Sequence, residues 1–323
     1  MGRFTRGLHP SELARLGELS DAPATNWWKD LLSSWRPSGS GQPGLRLAVR
    51  DRYLNFYWYG QSIARVEFGA TRSGKIEPRA MVHAKYVYPG EMSQSYASLV
   101  GETVTCVKLA KPPHAYAPTT FNDWISACEP YVTPERRGVD ILIRNHGAVF
   151  DVEAEMTTAR TQAMDSAKVD RIDLVALEVD SDRVTAVFYE AKTYGDGRLR
   201  AKVGDAKIVS QLRSYRTELQ ARPEVAEACR STCRTLVALH AMAPGLPRLN
   251  PLVADVAMGR ELVVDPVPRL VIFAGIDRSG ARCRTPGNWS HHREKLRLAG
   301  IPIVEHVDAA AINLSGAWAA ATS

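Results

Sequence analysis

The segment from Arg171 to Lys192 constrains the fold of this chain more than any other, because it indicates two short strands joined by a tight turn. The first strand, Arg171 to Val179, is apolar apart from two internal carboxylates, and the second, Val184 to Lys192, is rich in β-branched and aromatic residues. Asp180-Ser181-Asp182 between them is typical of a turn. A hairpin closed there pairs residues whose numbers sum to about 361–363.

Two carboxylates and one lysine meet at one end of this hairpin. Asp173 is expected across from Phe188 to Glu190, with facing Cβ atoms about 5 Å apart. Because side chains alternate along a strand, Glu190 and Lys192 share one face and Ala191 points to the other. Buried charges need a partner or a metal ion, and Mg²⁺ bound by hard oxygen ligands relieves the repulsion between two carboxylates. The pattern therefore indicates metal-assisted phosphodiester hydrolysis, with Lys192 stabilising negative charge or positioning a water.

Asp173, followed on the next strand by Glu190-Ala191-Lys192, resembles the D…(D/E)xK signature of the PD-(D/E)XK nuclease superfamily, which includes restriction endonucleases, recombination nucleases and resolvases. The resemblance covers roughly residues 130–310. It implies a nuclease that depends on Mg²⁺, or on Mn²⁺ in its place, and that cleaves DNA. It also implies that Asp173, Glu190 and the carbonyl of Ala191 hold the metal, and that Lys192 orients or activates the water. A role in bacterial defence or repair follows only by analogy.

Two alternatives to this interpretation stay open. The first is a strand pair whose three charges are merely solvated at its tips, because short motifs also arise by chance. The second is a non-catalytic nucleic-acid-binding or assembly protein that retains the nuclease fold. An intact Asp, Glu and Lys favours the enzyme over the second alternative.

A helix before the hairpin supplies a further candidate. Thr133-Pro134-Glu135 is typical of a helix start, with Thr as the N-cap and Pro at the first position, and the helix is expected to end near Asn145. In the superfamily a Glu of this helix often joins the metal site, and Glu135 matches by position. Glu153, on the predicted strand from Ala148 to Met156, is a rival for that role. A carboxylate that only favours the helix dipole is the structural alternative for Glu135.

A helix after the hairpin, from about Asp205 to Gln220, carries Gln211 inside its apolar stripe. Similar nucleases often have a glutamine here beside the site, with an aromatic residue one turn later, and Gln211 and Tyr215 match that pattern. A glutamine that only bonds to a strand-end carbonyl is the alternative.

The stretch from Thr193 to Arg216 is basic, which suits phosphate binding next to an acidic site. A solvated helix face is the alternative interpretation. The candidate nucleic-acid contacts are Arg198, Arg200, Lys202 and Lys207, with Arg213 and Arg216 further along.

The order helix, strand, strand, strand, helix is the core order of the PD-(D/E)XK fold. Further apolar strands are predicted at Cys233 to His240, at Arg269 to Gly275 and at Ile301 to Val307. We expect an α/β (α+β) chain in which residues 116–323 form a restriction-endonuclease-like mixed sheet flanked by helices.

Residues 1–115 are expected to form a smaller β-rich domain, opened by a helix with a tryptophan stripe, that binds nucleic acid or a partner. Its predicted strand from Tyr53 to Tyr59 is crowded with aromatic residues and has arginines nearby. Such a surface suits unstacked nucleic acid, but the same rings suit an ordinary core. Residues 89–130 are expected to be irregular, because prolines interrupt them.

The net charge of +6 is a mild attraction toward polyanions such as nucleic acid. No run of about 18 apolar residues predicts a membrane span, and the N-terminus lacks a signal-peptide core. Five scattered cysteines do not indicate a disulfide framework. A cytoplasmic protein without a membrane partner is expected, and a homodimer stays open as its assembly state.

Overall fold

The computed structural model describes residues 4–71, 73–91, 93–155, 171–180, 183–285 and 287–314. These residues form a mixed α/β structure with two β-sheets. The helices are α1 Pro10–Asp21, α2 Trp27–Ser33, α3 Ala84–Val87, α4 Thr120–Cys128, α5 Pro134–Asn145, α6 Lys207–Gln220, α7 Val225–Ala241, α8 Pro251–Ala257 and α9 Trp289–Leu298. The strands are β1 Arg46–Val49, β2 Leu54–Trp58, β3 Gln61–Ala70, β4 Ile76–His83, β5 Tyr96–Val100, β6 Thr103–Cys106, β7 Lys111–Ala115, β8 Val149–Glu155, β9 Arg171–Asp180, β10 Arg183–Thr193, β11 Leu262–Val264, β12 Arg269–Phe273 and β13 Ile303–Glu305.

The first sheet is an antiparallel meander of β1 to β7, in chain order. The expectation that residues 89–130 are irregular was wrong, because β5, β6, β7 and α4 lie within them. Pro112 and Pro113 were interpreted as breakers, but they lie in β7, a fully exposed edge strand. Proline is tolerated there because an edge strand leaves some backbone positions free of ladder hydrogen bonds.

The second sheet has the strand order β13-β12-β10-β9-β8, and β11 also pairs with β10. Strands β8, β9 and β10 are antiparallel, whereas β10, β12 and β13 are parallel. The predicted hairpin register is confirmed, since Val184 pairs with Val179 and Tyr189 with Leu174. The predicted turn residues Ser181 and Asp182 lie outside the described residues, as does Met156, the expected end of β8.

The predicted strand at Cys233 to His240 was wrong, because these residues belong to helix α7. An apolar run of eight residues fits a buried strand or a buried helix equally well. The buried positions of α7 recur at helical spacing, for example Val225, Cys229, Thr232 and Leu236, and these bury the helix on one side. None of the described helices is long and apolar enough to cross a membrane.

The aromatic residues of the N-terminal part form core. The rings of Trp27, Trp28 and Trp35 are buried, as are Phe56 and Tyr57 of β2. The core of the first sheet continues without interruption into one face of the second sheet. For these five rings the core interpretation is therefore correct.

Two buried ion pairs join the first sheet to the second half of the chain. Arg46 Nε lies 2.9 Å from Asp140 Oδ1 of α5, and Arg50 Nη1 lies 2.7 Å from Asp151 Oδ1 of β8. All four side chains are almost fully excluded from solvent. The division into domains at residues 115 and 116 stays a prediction, but these pairs hold the two sheets in one arrangement.

Helix α5 packs closely on the second sheet at Gly138. A Cβ atom there would lie 2.1 Å from Cε2 of Phe273, a buried residue of β12. We expect Gly138→Ala to lower the free energy of unfolding by about 1–3 kcal/mol through overpacking. Gly17→Ala in α1 is the matched control, because its nearest heavy atom would be 3.9 Å away, and it should be neutral or stabilising by up to about 1 kcal/mol. Urea denaturation of both variants measures the difference, and equal stabilities would contradict this account.

Candidate active site

A cavity of about 280 Å³ lies where the two sheets meet. Strands β8, β9 and β10 and helices α5 and α6 contribute to its walls, and so does the turn between β2 and β3. The side chains of Asp173, Glu190, Lys192, Gln211 and Glu135, all predicted as site residues, line it together.

The hairpin brings the acidic pair together as its register predicts. Tyr189 pairs with Leu174, so the next position sets Glu190 across from Asp173. Asp173 Oδ2 accepts a hydrogen bond of 2.7 Å from the backbone N–H of Ala191. This bond fixes one carboxylate oxygen of Asp173 beside β10.

Lys192 lies between the carboxylates. Its Nζ is 2.6 Å from Glu190 Oε1, 3.5 Å from Asp173 Oδ2 and 3.8 Å from Glu135 Oε1. The same Nζ donates a hydrogen bond of 2.5 Å to the carbonyl oxygen of Ala191. One ammonium group thus contacts every oxygen ligand that the sequence nominated, while the Ala191 side chain belongs to the hydrophobic cluster on the other face of β10.

Glu135 reaches the site from the first turn of α5. Thr133 caps that helix by accepting a hydrogen bond from the N–H of Arg136, as predicted. Burial raises the pKa of Glu135, and Asp173 adds to the increase while Lys192 opposes it. A partly buried carboxylate 3.8 Å from the Lys192 ammonium does not fit a side chain that serves only the helix dipole.

Glu153, the rival of Glu135, lines the same cavity. Val152 pairs with Leu174, so the next position sets Glu153 across from Asp173. Its backbone φ is +51°, a left-handed conformation that is strained for a residue with a side chain. The cavity therefore contains both Glu135 and Glu153.

Gln211 supports Glu190 from α6. Its Nε2 donates to Glu190 Oε1 at 3.0 Å and lies 2.8 Å from the Tyr215 hydroxyl. That hydroxyl donates to the carbonyl oxygen of Arg171 at 2.7 Å. The predicted pair of Gln211 and Tyr215 thus links α6 to both strands of the hairpin, rather than only capping a strand end.

Burial and mutual repulsion shift the acid–base properties of these groups. Burial, with Asp173 adding to it, raises the pKa of Glu190 to about 8 against the attraction of Lys192. Burial and Asp173 likewise raise the pKa of Glu153 to about 7. For Lys192 burial acts to lower the pKa, but the surrounding carboxylates outweigh it and the pKa is raised. At neutral pH Lys192 is therefore charged. Glu190 and Glu153 are partly protonated at this pH, so the cluster carries less negative charge than its number of carboxyl groups.

One oxygen of this cluster is left without a partner. Glu190 Oε2 is buried and has no hydrogen-bond partner among the described residues, and such an atom is costly to bury. Oxygens of Asp173, Glu190 and the Ala191 carbonyl are the hard ligands that Mg²⁺ prefers, so this donor set fits the ion. The described part of the chain contains no group of three or more His, Cys, Asp or Glu side chains arranged to hold a metal, so the backbone carbonyl would be needed.

The predicted nucleic-acid contacts differ in their surroundings. Arg198 lines the cavity, and its Nη2 lies 2.6 Å from Asp196 Oδ2. Arg200 donates from Nη2 to the carbonyl oxygen of Tyr194 at 2.6 Å and is half-buried. Lys202 and Lys207 are exposed. The two lysines are thus accessible to an external phosphate, whereas the Arg200 guanidinium is engaged inside the fold.

Sequence reasoning did not place every cavity residue at the site, and those it missed include Tyr59, Gly60, Arg136 and Arg171. Tyr59 and Gly60 come from the first sheet, so their proximity depends on how the two sheets pack. A signal for Arg136 existed, because it directly follows Glu135 on a helix already expected at the site. Arg171 opens the motif hairpin, but its guanidinium is paired with Glu155 at 3.0 Å.

Comparison of the chain with protein-family models, with curated proteins and with solved structures gave no significant match. A functional assignment therefore depends on the motif residues and on the geometry of the cavity.

Proposed function

We propose that this protein is a Mg²⁺-dependent nuclease that hydrolyses phosphodiester bonds of DNA, with Mn²⁺ able to replace Mg²⁺. The observation that carries this proposal is the buried Oε2 of Glu190, which has no hydrogen-bond partner among the described residues and belongs to a cavity that Asp173 and Lys192 also line. An acidic pair of this kind is expensive to maintain unless it serves a ligand.

The architecture supports a restriction-endonuclease-like arrangement of the second sheet. Helix α5, strands β8, β9 and β10 and helix α6 follow one another in the order that the superfamily resemblance implies. The antiparallel part of the sheet carries the acidic residues, and the parallel strands β12 and β13 extend it beyond β10.

Asp173, Glu190 and the carbonyl of Ala191 would hold the cation, which supplies charge neutralisation at the phosphate and a more acidic water. Lys192 has a raised pKa and stays protonated, so it serves as a positive charge for the phosphate oxygens rather than as a base. In the reaction, the water oxygen bonds to phosphorus, the bond to one sugar oxygen breaks, and the leaving oxygen takes a proton from a solvent water. Glu153, whose pKa is raised to about 7, can accept the proton of the water, because such a pKa suits a base near neutral pH. Glu135, whose pKa is also raised, is the alternative acceptor.

The alternative function is a non-catalytic nucleic-acid-binding or assembly protein that retains the nuclease fold. It is favoured by the position of Lys192, whose Nζ already neutralises Glu190 at 2.6 Å. Calorimetric titration with Mg²⁺ separates the two, because only the nuclease requires a cation site.

The proposed activity is tested with end-labelled DNA and RNA strands, single and paired, in the presence of Mg²⁺, Mn²⁺ or EDTA. Cleavage should require either cation and should be absent in an identically purified Asp173→Asn protein, which controls for contaminating nuclease. No cleavage of any substrate with either cation would contradict the proposal.

The exposed lysines of the basic stretch are expected to contact phosphates. Lys202→Ala and Lys207→Ala should each weaken DNA binding and flatten the slope of log affinity against log salt by about 0.9 on duplex or about 0.7 on a single strand. Arg200→Ala is the control, because its guanidinium is engaged by Tyr194. Fluorescence anisotropy in Ca²⁺ measures binding without cleavage. If neither lysine variant changes affinity or slope, the basic stretch is a solvated face.

A further inference from the structure

The first sheet forms one wall of the candidate active site. Tyr57, Tyr59 and Gly60 line the cavity together with Asp173 and Glu190 of the second sheet. A substrate bound at the acidic pair therefore lies against residues of both sheets.

This wall is held in place by contacts on both sides of the turn. Arg144 Nη2 donates to the Tyr59 hydroxyl at 3.0 Å, and the Arg137 guanidinium lies 5.1 Å from the centre of the Tyr59 ring. On the other side Gln61 Nε2 donates to the carbonyl oxygen of Tyr131 at 2.9 Å. Several independent bonds fix the turn against α5 and the segment before it, so the wall is preorganised.

Gly60 lets this turn approach the site closely. Its φ is +68°, and a Cβ atom would lie 2.8 Å from Glu153 Oε1 and 3.4 Å from Arg136 Nε. The turn thus lies directly over these two side chains, and no side chain of its own separates them from the backbone.

Arg136 provides a further positive charge in the cavity. The other cavity arginines are Arg46, Arg171 and Arg198, and each has a carboxylate within 4.0 Å. Among the described residues no carboxylate lies within that distance of the Arg136 guanidinium, although Arg136 lines the cavity beside Glu135 and Glu153. A guanidinium in this position suits a phosphate group of a ligand.

The size of the cavity limits what can enter. Its volume of about 280 Å³ is just below the range of typical ligand pockets, about 300–1,000 Å³. Glu190 and Lys192 have side chains only 3% and 2% exposed, so a phosphodiester reaches them only from inside the cavity. A cavity of this size admits a short segment of one strand and leaves no room for a base-paired partner strand beside it.

We infer that the substrate is an unpaired strand, threaded between the two sheets with a phosphate next to the scissile one bound by Arg136. This inference rests on the proposed nuclease function for its chemistry, but strand binding can be measured independently of cleavage. Aromatic and positively charged walls are the usual combination for single-stranded nucleic acid.

The test compares a labelled oligo-dT with a GC-rich blunt duplex of the same length, by anisotropy in EDTA and by cleavage in Mn²⁺. We expect the single strand to bind at least about tenfold more tightly, which corresponds to ~1.4 kcal/mol, and to be cleaved faster. Equal or tighter binding of the duplex overturns the inference. Single-strand binding without any cleavage supports the inference and contradicts the proposed nuclease activity.

Arg136→Ala tests the phosphate contact. It should weaken oligo-dT binding and flatten its salt slope by about 0.7, as expected for one lost contact on a single strand. Lys108→Ala is the matched control, because it removes the same charge from an exposed position between β6 and β7, outside the cavity. If both variants bind alike, the Arg136 contact is rejected. Arg136→Lys keeps the charge and should retain most of the slope, which separates a contact from a folding defect.

Discussion

Replacing Lys192 is expected to abolish cleavage while leaving DNA affinity nearly unchanged. Its Nζ is within 3.5 Å of both proposed metal-binding carboxylates, and its raised pKa keeps it charged. A charge that acts mainly in the transition state lowers kcat rather than binding. Loss of one such group costs about 10²–10³-fold in rate, so Lys192→Ala should be nearly inactive while its affinity in Ca²⁺ changes little.

Lys192→Ala is also expected to lower the free energy of unfolding, so the experiment needs a control for stability. Lys192 is buried, and its removal leaves Glu190 and Asp173 without their nearby positive charge. Breaking a buried pair in this way destabilises a protein by about 3–5 kcal/mol. Lys192→Met retains the apolar stem and keeps the experiment interpretable if the alanine variant unfolds. Lys108→Ala, at an exposed lysine outside the cavity, should keep its cleavage rate, and full activity of Lys192→Met would reject the role of Lys192.

The hairpin and its charged end could be predicted because they depend on local chemistry. The turn sets the register, and the alternation of side chains sets Glu190 and Lys192 on one face, so neither requires knowledge of the rest of the fold. The start of α5 was equally local, since Thr133 caps it and Pro134 occupies its first position. Gln211 was identifiable as a polar residue in an apolar stripe.

The remaining parts of the site depend on contacts between distant segments. Arg50 and Asp151 are 101 residues apart, and their pairing sets the first sheet against β8. From the sequence alone, an arginine is expected to be exposed or to bind nucleic acid. Burial of a charged arginine costs free energy unless a carboxylate such as Asp151 pairs with it. Tyr59 and Gly60 line the cavity only because the two sheets pack together in this way. No local sequence pattern predicts that packing. Helix α7 was predicted as a strand for a related reason. In its short apolar run, the two-residue pattern of a buried strand cannot be distinguished from the 3.6-residue pattern of a buried helix.

Removing either carboxylate of the acidic pair is expected to eliminate both cleavage and cation binding. Asp173→Asn and Glu190→Gln retain side-chain volume but remove an anionic ligand, so Mg²⁺ or Mn²⁺ affinity should fall by at least about tenfold. Calorimetry measures the affinity, and Glu155→Gln is the matched control on β8, because the Glu155 side chain does not line the cavity. If neither variant changes cation binding, the pair is structural.

Stability in EDTA should respond to pH in a way that identifies Glu190. Burial and Asp173 raise its pKa to about 8, above the value of about 4.3 in an unfolded chain. The folded state therefore favours the protonated carboxyl, and the stability that this contributes is fully present below the unfolded pKa and lost as pH rises toward 8. Glu190→Gln cannot ionise, so its melting temperature in EDTA should exceed that of the unsubstituted protein by a margin that grows between pH 5 and 8.

Adding Mg²⁺ should reverse the order of the melting temperatures, so that the unsubstituted protein melts above Glu190→Gln. Mg²⁺ binds the folded state, so at a hundred times its Kd it stabilises the unsubstituted protein by about 2.7 kcal/mol, and Glu190→Gln should gain far less. Because the carboxyl must lose its proton to bind Mg²⁺, the affinity of the unsubstituted protein should rise with pH until about pH 8. Thermal melts with and without Mg²⁺ across this range test both statements. A Mg²⁺-dependent increase of equal size in both proteins would show that the cation binds somewhere other than Glu190.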